Sequence, residues 1–251
     1  MAAGRAPPKQ RADQLLVDRG LVESRTRAQA LILAGKVFSG EARIDKPGQA
    51  LPADRPLSLR GQDHPWVSRG GVKLAHGLAR FGLSPAGLVC LDVGASTGGF
   101  THVLLHNGAE RVYAVDVGHG QLDWSLRNDP RVAVRERVNA RYLSAEDVPE
   151  PICALVCDAS FIGLSTLLPA PLALCAPGAW AVALVKPQFE VGPSVAKGGV
   201  VRDPAVHRAV CDRVAGWWGG LPGWRVLGVE PSPLLGPEGN REFLLGALRE
   251  G

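Results

Sequence analysis
One stretch limits the folds open to this 251-residue chain more than any other: Leu88-Val-Cys-Leu-Asp-Val-Gly-Ala-Ser-Thr-Gly-Gly-Phe100. An apolar run reaches an acid at Asp92, turns through Gly94, Ala95 and Ser96, and enters a helical pattern at Gly98 and Gly99. This predicts a buried strand, a glycine-rich turn and a helix, with glycines where a ligand at the strand's carboxyl end must approach the backbone more closely than a Cβ permits. Arg111-Val-Tyr-Ala-Val-Asp116 is a second apolar strand closed by an acid, where a doubly wound sheet offers a carboxylate to ribose hydroxyls. The pair implies a nucleoside-bearing cofactor. A dinucleotide would want Gly-x-Gly-x-x-Gly and a nucleoside triphosphate a Gly-x-x-x-x-Gly-Lys-Ser/Thr loop, and neither is present here.

Asp-x-Gly-x-x-x-Gly-Gly instead resembles the first motif of S-adenosylmethionine-dependent methyltransferases, whose cofactor carries no phosphate. That resemblance assigns Asp92, Gly94, Ser96, Gly98, Gly99 and Phe100 to the methionine end and Asp116 to the ribose. Asn139, after the third strand, is either an adenine contact or a simple turn residue.

Strands are predicted at 88–93, 111–115, 132–135, 152–157, 180–186, 224–230 and 242–248, with helical patterns between most of them. Such alternation means an α/β fold, a Rossmann-like parallel sheet covered by helices on both faces. The 231–240 connection is too short for a crossover helix, so the last two strands should pair antiparallel.

The formal charge of +4 hides an asymmetry: residues 1–80 carry fourteen Lys and Arg against seven Asp and Glu. A polyanion binder leaves such a footprint. Residues 1–10 read as a flexible basic tail, 11–60 as a small α+β domain, 61–67 as a linker and 68–251 as the methyltransferase domain. In the small domain a helical pattern runs from Arg11 to Gly20, and Ser24 caps a second that ends before Gly35. Ala28, Leu31 and Ile32 share one side of the second helix, with Arg25 and Gln29 together on another. The run Gly20-Leu-Val-Glu-Ser-Arg-Thr-Arg-Ala-Gln-Ala-Leu-Ile-Leu-Ala-Gly-Lys-Val37 resembles the RNA-binding domain named after the fourth small-subunit ribosomal protein. It implies phosphate contacts by Arg11, Arg25, Arg27 and Lys36.

No apolar run is long enough to span a bilayer, the N-terminus lacks the apolar core of a secretion signal, and a cytoplasmic protein is expected. Five scattered cysteines without a Cys-x-x-Cys pair are expected as buried thiols, with no metal site. The six tryptophans are expected to pack rather than stack on bases.

Two further strand ends carry charge, Cys157-Asp158-Ala-Ser160 and Leu184-Val-Lys186-Pro-Gln-Phe-Glu190. On neighbouring strands, Asp158 and Lys186 can satisfy each other. With Ser68-Arg69-Gly-Gly, Lys73 and Gly236-Pro-Glu-Gly-Asn-Arg-Glu242-Phe-Leu, these motifs resemble the TlyA family, ribosomal RNA methyltransferases with an FtsJ-like catalytic domain. The resemblance covers nearly the whole chain. It implies a Lys73, Asp158, Lys186, Glu242 tetrad, with Glu238 the alternative fourth member, and Arg69 as a further RNA contact. The implied reaction is methyl transfer from S-adenosylmethionine to a cytidine 2′-hydroxyl of 16S or 23S rRNA in ribosomal subunits. Lys186, partly buried beside the like charge of Lys73, is the expected proton acceptor, and Lys197–Arg202 the expected loop closing on RNA. Rival readings are a non-catalytic RNA-binding protein, a small-molecule methyltransferase and a membrane-active haemolysin, the last without an amphipathic membrane helix to support it.

Overall fold
The computed structural model describes residues 9–19, 21–22, 24–59, 64–192, 195–236 and 239–251. It divides into a unit ending at Pro65 and another beginning at Trp66.

In the first unit, β1 (Lys9–Arg11) pairs antiparallel with β4 (Ala50–Pro52). Two helices follow β1, α1 (Ala12–Asp18) and α2 (Arg25–Leu33). Strand β2 (Val37–Ser39) lies between β3 (Ala42–Arg43) and β5 (Ser58–Leu59). Ser24 starts α2 as expected, its Oγ accepting the N–H of Arg27 at 3.2 Å. Leu15 and Leu16 from α1, Ala28 and Ile32 from α2, and Val37, Ile44 and Leu51 close a small core. Lys9 and Gln10, read from the sequence as tail, are strand: residues 9–11 gain backbone partners in β4, and Ala12 N–H continues the register to Gln49 O at 2.8 Å. Residues 1–8 lie outside the described residues.

The second unit opens with Trp66 and Val67, which the sequence placed in the linker. Trp66 is buried edge-on against His102 and His106, and Val67 N–H donates to His102 Nδ1 at 3.1 Å. Helix α3 (Gly70–Phe81) stops at Gly82, whose left-handed φ of 65° a Cβ would strain. There follow β6 (Val89–Val93), α4 (Gly99–His106), β7 (Arg111–Asp116), α5 (Trp124–Arg127) and β8 (Val132–Glu136). The chain continues through β9 (Ile152–Cys157), α6 (Leu164–Leu167), α7 (Pro169–Ala173), β10 (Cys175–Val185), α8 (Pro187–Glu190) and α9 (Pro204–Gly219), and ends in β11 (Trp224–Pro231) and β12 (Phe243–Arg249). The seven strands lie in the order β11-β12-β10-β9-β6-β7-β8, with β12 antiparallel to both neighbours.

Alternation along each strand sorts side chains onto two faces. Cys90, Val112, Ala114, Val156, Val182 and Leu244 pack with Leu74 and Leu78 of α3 and Val103 and Leu104 of α4. Leu91, Val93, Tyr113, Leu155, Ala183 and Leu245 pack with Leu164, Leu172, Val214 and Trp218 on the other side. Both faces are therefore dry, as a parallel sheet requires. Strand β10 begins five residues before the expected start: Cys175 already pairs with Ile152, and the ladder then shifts register across Gly178 (φ 81°) before resuming at Trp180. Trp218 is fully buried between Trp217 and Trp224, but Trp124 is exposed, against the expectation that all six tryptophans pack. The cysteines are free thiols, four buried and Cys153 partly so.

Candidate active site
Strand order reverses between β6 and β9, so the crevice outside their carboxyl ends is where a ligand fits this sheet. Gly94 leaves β6 at φ 81°, and a Cβ there would come 2.8 Å from Ala159 Cα. At Gly99 a Cβ would overlap Ser68 Oγ and come 2.9 Å from Gly71 N, so the entries of α3 and α4 meet through glycines. At Gly98 (φ 94°) it would overlap Leu126. The motif glycines therefore serve close packing of the chain against itself, where the sequence led to the expectation that they make way for a ligand, and Phe100 beside them is buried in the α3/α4 core. Ser96 holds a left-handed φ of 48°, its N–H bound to Asp116 Oδ2 at 2.8 Å while Asp116 Oδ1 accepts Gly118 N–H at 2.6 Å. One carboxylate therefore ties the glycine turn to the loop after β7.

Asp92 is fully buried. Its Oδ2 accepts Thr101 Oγ1 at 2.7 Å and its Oδ1 has no hydrogen-bond partner among the described residues. Burial pushes it up to about 7, against the opposing Thr101 hydrogen bond, with Asp158 and Asp116 adding to the rise. Asn139 is exposed and caps the 3₁₀ turn Ala140–Tyr142 through Arg141 N–H at 3.1 Å. This is the turn role that the sequence offered beside an adenine contact.

The four charged candidates form two pairs. Lys73, one turn inside α3, places Nζ 2.5 Å from Glu242 Oε2, with side chains 7% and 0% exposed. Lys186 Nζ lies 2.7 Å from Asp158 Oδ1, 3.0 Å from Asp158 O and 2.8 Å from Ser160 Oγ. The pairs adjoin each other. Val185 faces Phe243 in the β10/β12 ladder, so Lys186 and Glu242 sit one step beyond the same end. On the other side, a Cβ at Gly70, one turn before Lys73, would stand 3.5 Å from Asp158 Oδ2. Glu238 lies outside the described residues. Arg69 is exposed, with Nη2 3.5 Å from Leu235 O.

Of the expected phosphate contacts in the first unit, Arg11, Arg25, Arg27 and Lys36 are all exposed. Arg11 and Arg25 are held by the carboxylate of Asp13, which the sequence reading passed over.

Two other features escaped sequence reading. Phe161 is 89% exposed at φ 68°, beside Phe189 at a ring separation of 5.0 Å and one residue past Ser160. A bulky residue held left-handed and bare to solvent is strain of the kind that gathers at working sites. Its sequence signal was an aromatic three residues past the charged strand end at Asp158. Glu136, closing β8, accepts from Gly120 N–H at 2.9 Å and from Arg127, and lies 2.8 Å from His119 Nδ1. Burial would raise it, yet these donors hold it down to about 2 and so fix the loop that follows Asp116.

Residues 66–249 match the FtsJ-like methyltransferase family and residues 10–54 the S4 domain. A Mycobacterium tuberculosis protein named 16S/23S rRNA (cytidine-2′-O)-methyltransferase TlyA is 49% identical over 237 residues, 94% of this chain and 88% of the relative. Hemolysin A of Brachyspira hyodysenteriae is 36% identical over 236 residues, 93% and 98% of the two chains. The solved structure of a candidate hemolysin from Streptococcus thermophilus superposes with a TM-score of 0.73 at 41% identity, covering 98% of this chain and 90% of that one. With the strand-order switch between β6 and β9 and the paired charges at one end of the sheet, these matches place the chain in the FtsJ-like methyltransferase family, as a member that carries an S4 domain in front and has TlyA proteins among its relatives.

Proposed function
We propose that this protein methylates ribosomal RNA, moving a methyl group from S-adenosylmethionine to a cytidine ribose 2′-hydroxyl of 16S rRNA, 23S rRNA or both. The observation that carries the reading is the pair of lysine–carboxylate contacts, Lys73–Glu242 and Lys186–Asp158, at one end of the sheet beside the glycine-rich turn. The residues present suit the cofactor. Gly94, Gly98 and Gly99 let Ala159, Leu126 and the start of α3 close in on the turn and so fix its backbone, and Asp92 Oδ1 is a buried acceptor without a hydrogen-bond partner among the described residues, matched to a cationic methionine end. Asp116 is the ribose acceptor, and the amide of Asn139 is the group available to an adenine edge. When bound, the cofactor supplies a methyl activated by its sulfonium.

The chain's task is then to align a weak nucleophile and help it lose a proton. Three acceptors already surround Lys186 Nζ, so an incoming hydroxyl must displace one. Ser160 Oγ is the neutral side-chain partner and the least costly to release, because charge-assisted contacts are the stronger ones. The hydroxyl would take its place beside Nζ; Lys186 would first release one proton to solvent and, as the neutral amine held by Asp158 through a remaining N–H, would then receive the proton of the hydroxyl. Lys73 and Glu242 brace the neighbouring strand end and keep a second cation near the developing oxyanion. Arg11, Arg25, Arg27, Lys36 and Arg69 draw in the RNA backbone, with affinity that falls as salt rises.

Incubation with methyl-labelled cofactor and separate ribosomal subunits tests the reading. Alkali-resistant label in rRNA is the expected result, since 2′-O-methylation removes the nucleophile of alkaline cleavage; label in a small molecule, or none, would overturn it. A Lys186→Ala enzyme methylating at near-normal rate would remove Lys186 as the proton acceptor.

A further inference from the structure
Asp13 in the first unit has no exposed surface, yet five donors converge on its carboxylate. Oδ1 accepts Arg11 Nε at 2.9 Å and the backbone N–H of Gln14 at 2.9 Å. Oδ2 accepts Arg11 Nη2 at 2.8 Å, Gln29 Nε2 at 2.9 Å and Arg25 Nη2 at 3.3 Å. Chiefly through the Arg11 hydrogen bonds, the acid is held well below the ordinary carboxylate range. Burying a charge is a poor route to stability, because the desolvation cost consumes most of the pairing energy. What the arrangement achieves is geometric. Arg11 comes from β1 and Arg25 from the start of α2, and one acid locks the two guanidiniums side by side while their side chains stay 52% and 51% exposed. Gly48 leaves room for Arg11, since a Cβ there would come 3.2 Å from Nη1. Two cations sharing one anion leave a net single positive charge facing outward, with N–H forks suited to phosphate.

We propose that Asp13 is a positioning residue that turns Arg11 and Arg25 into one preformed site for a single RNA backbone phosphodiester, without itself touching the RNA. The inference rests on the RNA-methyltransferase reading and adds the device by which the small unit holds the backbone. Charge attraction and preorganisation predict opposite signs. Removing the acid adds one positive charge, which alone would tighten binding to a polyanion, whereas losing the lock frees both arginines to rotate and weakens it.

The test uses the full chain, with a short RNA hairpin as probe in fluorescence anisotropy over a series of salt concentrations. Asp13→Asn should bind about fivefold or more weakly despite its higher net charge, and the slope of log affinity against log salt should become shallower by roughly one phosphate contact. Arg25→Lys conserves charge and leaves four of the five donors on Asp13, so it keeps the fold but loses the fork, and it should weaken binding similarly with an unchanged melting temperature. If Asp13→Asn does not fold, Arg25→Lys decides. Unchanged or tighter hairpin binding in whichever variant folds overturns the proposal. Label transfer by the wild type to rRNA is measured in parallel: hairpin binding without transfer would sink the enzymatic reading and leave the phosphate site standing, while transfer together with unaltered variant binding would sink the site alone.

Discussion

Lys73 and Glu242, 169 residues apart in the chain, meet at 2.5 Å with both side chains buried. Removing one partner strands the other charge in a dry place. Lys73→Ala and Glu242→Ala should therefore each destabilise the larger unit by about 3–5 kcal/mol and abolish methyl transfer. Replacing both, as Lys73→Met with Glu242→Leu, should return most of the melting temperature but none of the activity. Thermal melts and label incorporation on the three variants separate the stabilising role from the chemical one. A double variant that is active would mean the pair is structural only.

Phe161 stands bare at a strained backbone angle one residue beyond Ser160, which contacts Lys186. An aromatic face placed there suits a base turned out of the RNA, and such stacking is worth about 1–3 kcal/mol per base. Phe161→Ala should lower kcat/KM for rRNA by about tenfold or more while leaving the cofactor Kd and the melting temperature unchanged. Equilibrium dialysis with the cofactor and steady-state kinetics with ribosomal subunits check the split.

Asp92 gives the cofactor step a pH signature. Its folded value is raised, so between the ordinary carboxylate range and about 7 the folded chain binds the proton more tightly than the unfolded chain, and this group's contribution to stability declines as pH rises through that window. A cationic ligand prefers the ionised acid and expels the proton. Cofactor affinity should accordingly rise from about pH 6 to about pH 8, by up to roughly tenfold, and then level off. Calorimetry in buffers of different ionisation heat should register proton release in the wild type and none in Asp92→Asn. A pH-independent wild-type affinity would sever Asp92 from the cofactor.

Much of this geometry was legible because it is local or periodic. Each of the seven sheet strands follows an apolar run closed by a charge or a turn, and six of them lie within a residue or so of expectation. The exception, β10, starts early because Ala176-Pro177-Gly178 reads as a break while Cys175 is already paired across it to β9. The β1/β4 ribbon was hidden for another reason: Lys-Gln-Arg has no strand pattern, and what makes it a strand is a partner forty residues away. Asp158 and Lys186 could be paired from topology alone, since both close neighbouring strands. The Lys73–Glu242 contact needed a family resemblance, because no spacing rule joins α3 to the last strand. Asp13 and Glu136 were passed over because a single acid between arginines reads as a solvated face, and only burial and donor geometry show otherwise.

Asn240 ties two loops together next to Glu242. Buried to 3% exposure in the turn before Glu242, it donates from Nδ2 to Gly199 O at 3.0 Å and accepts Val201 N–H at Oδ1 at 3.2 Å. The segment expected to close on RNA is therefore pinned along Gly199–Val201 to the turn that leads through Glu242 into β12, and His207 Nε2, 3.0 Å from Val201 O, adds a second anchor. Truncation leaves the buried Val201 N–H unsatisfied and takes the donor from Gly199 O, so Asn240→Ala should cost about 1–3 kcal/mol. The loss should be local first: faster amide hydrogen exchange at 199–201 and a raised KM for rRNA, with kcat falling only as far as Glu242 shifts. Asn240→Asp keeps the acceptor for Val201 but loses the donor to Gly199 and buries a charge, so it should do no better than alanine. Exchange at 199–201 equal to wild type in both variants would mean that the loop is held by its own turn and His207, and that Asn240 does not couple it to Glu242.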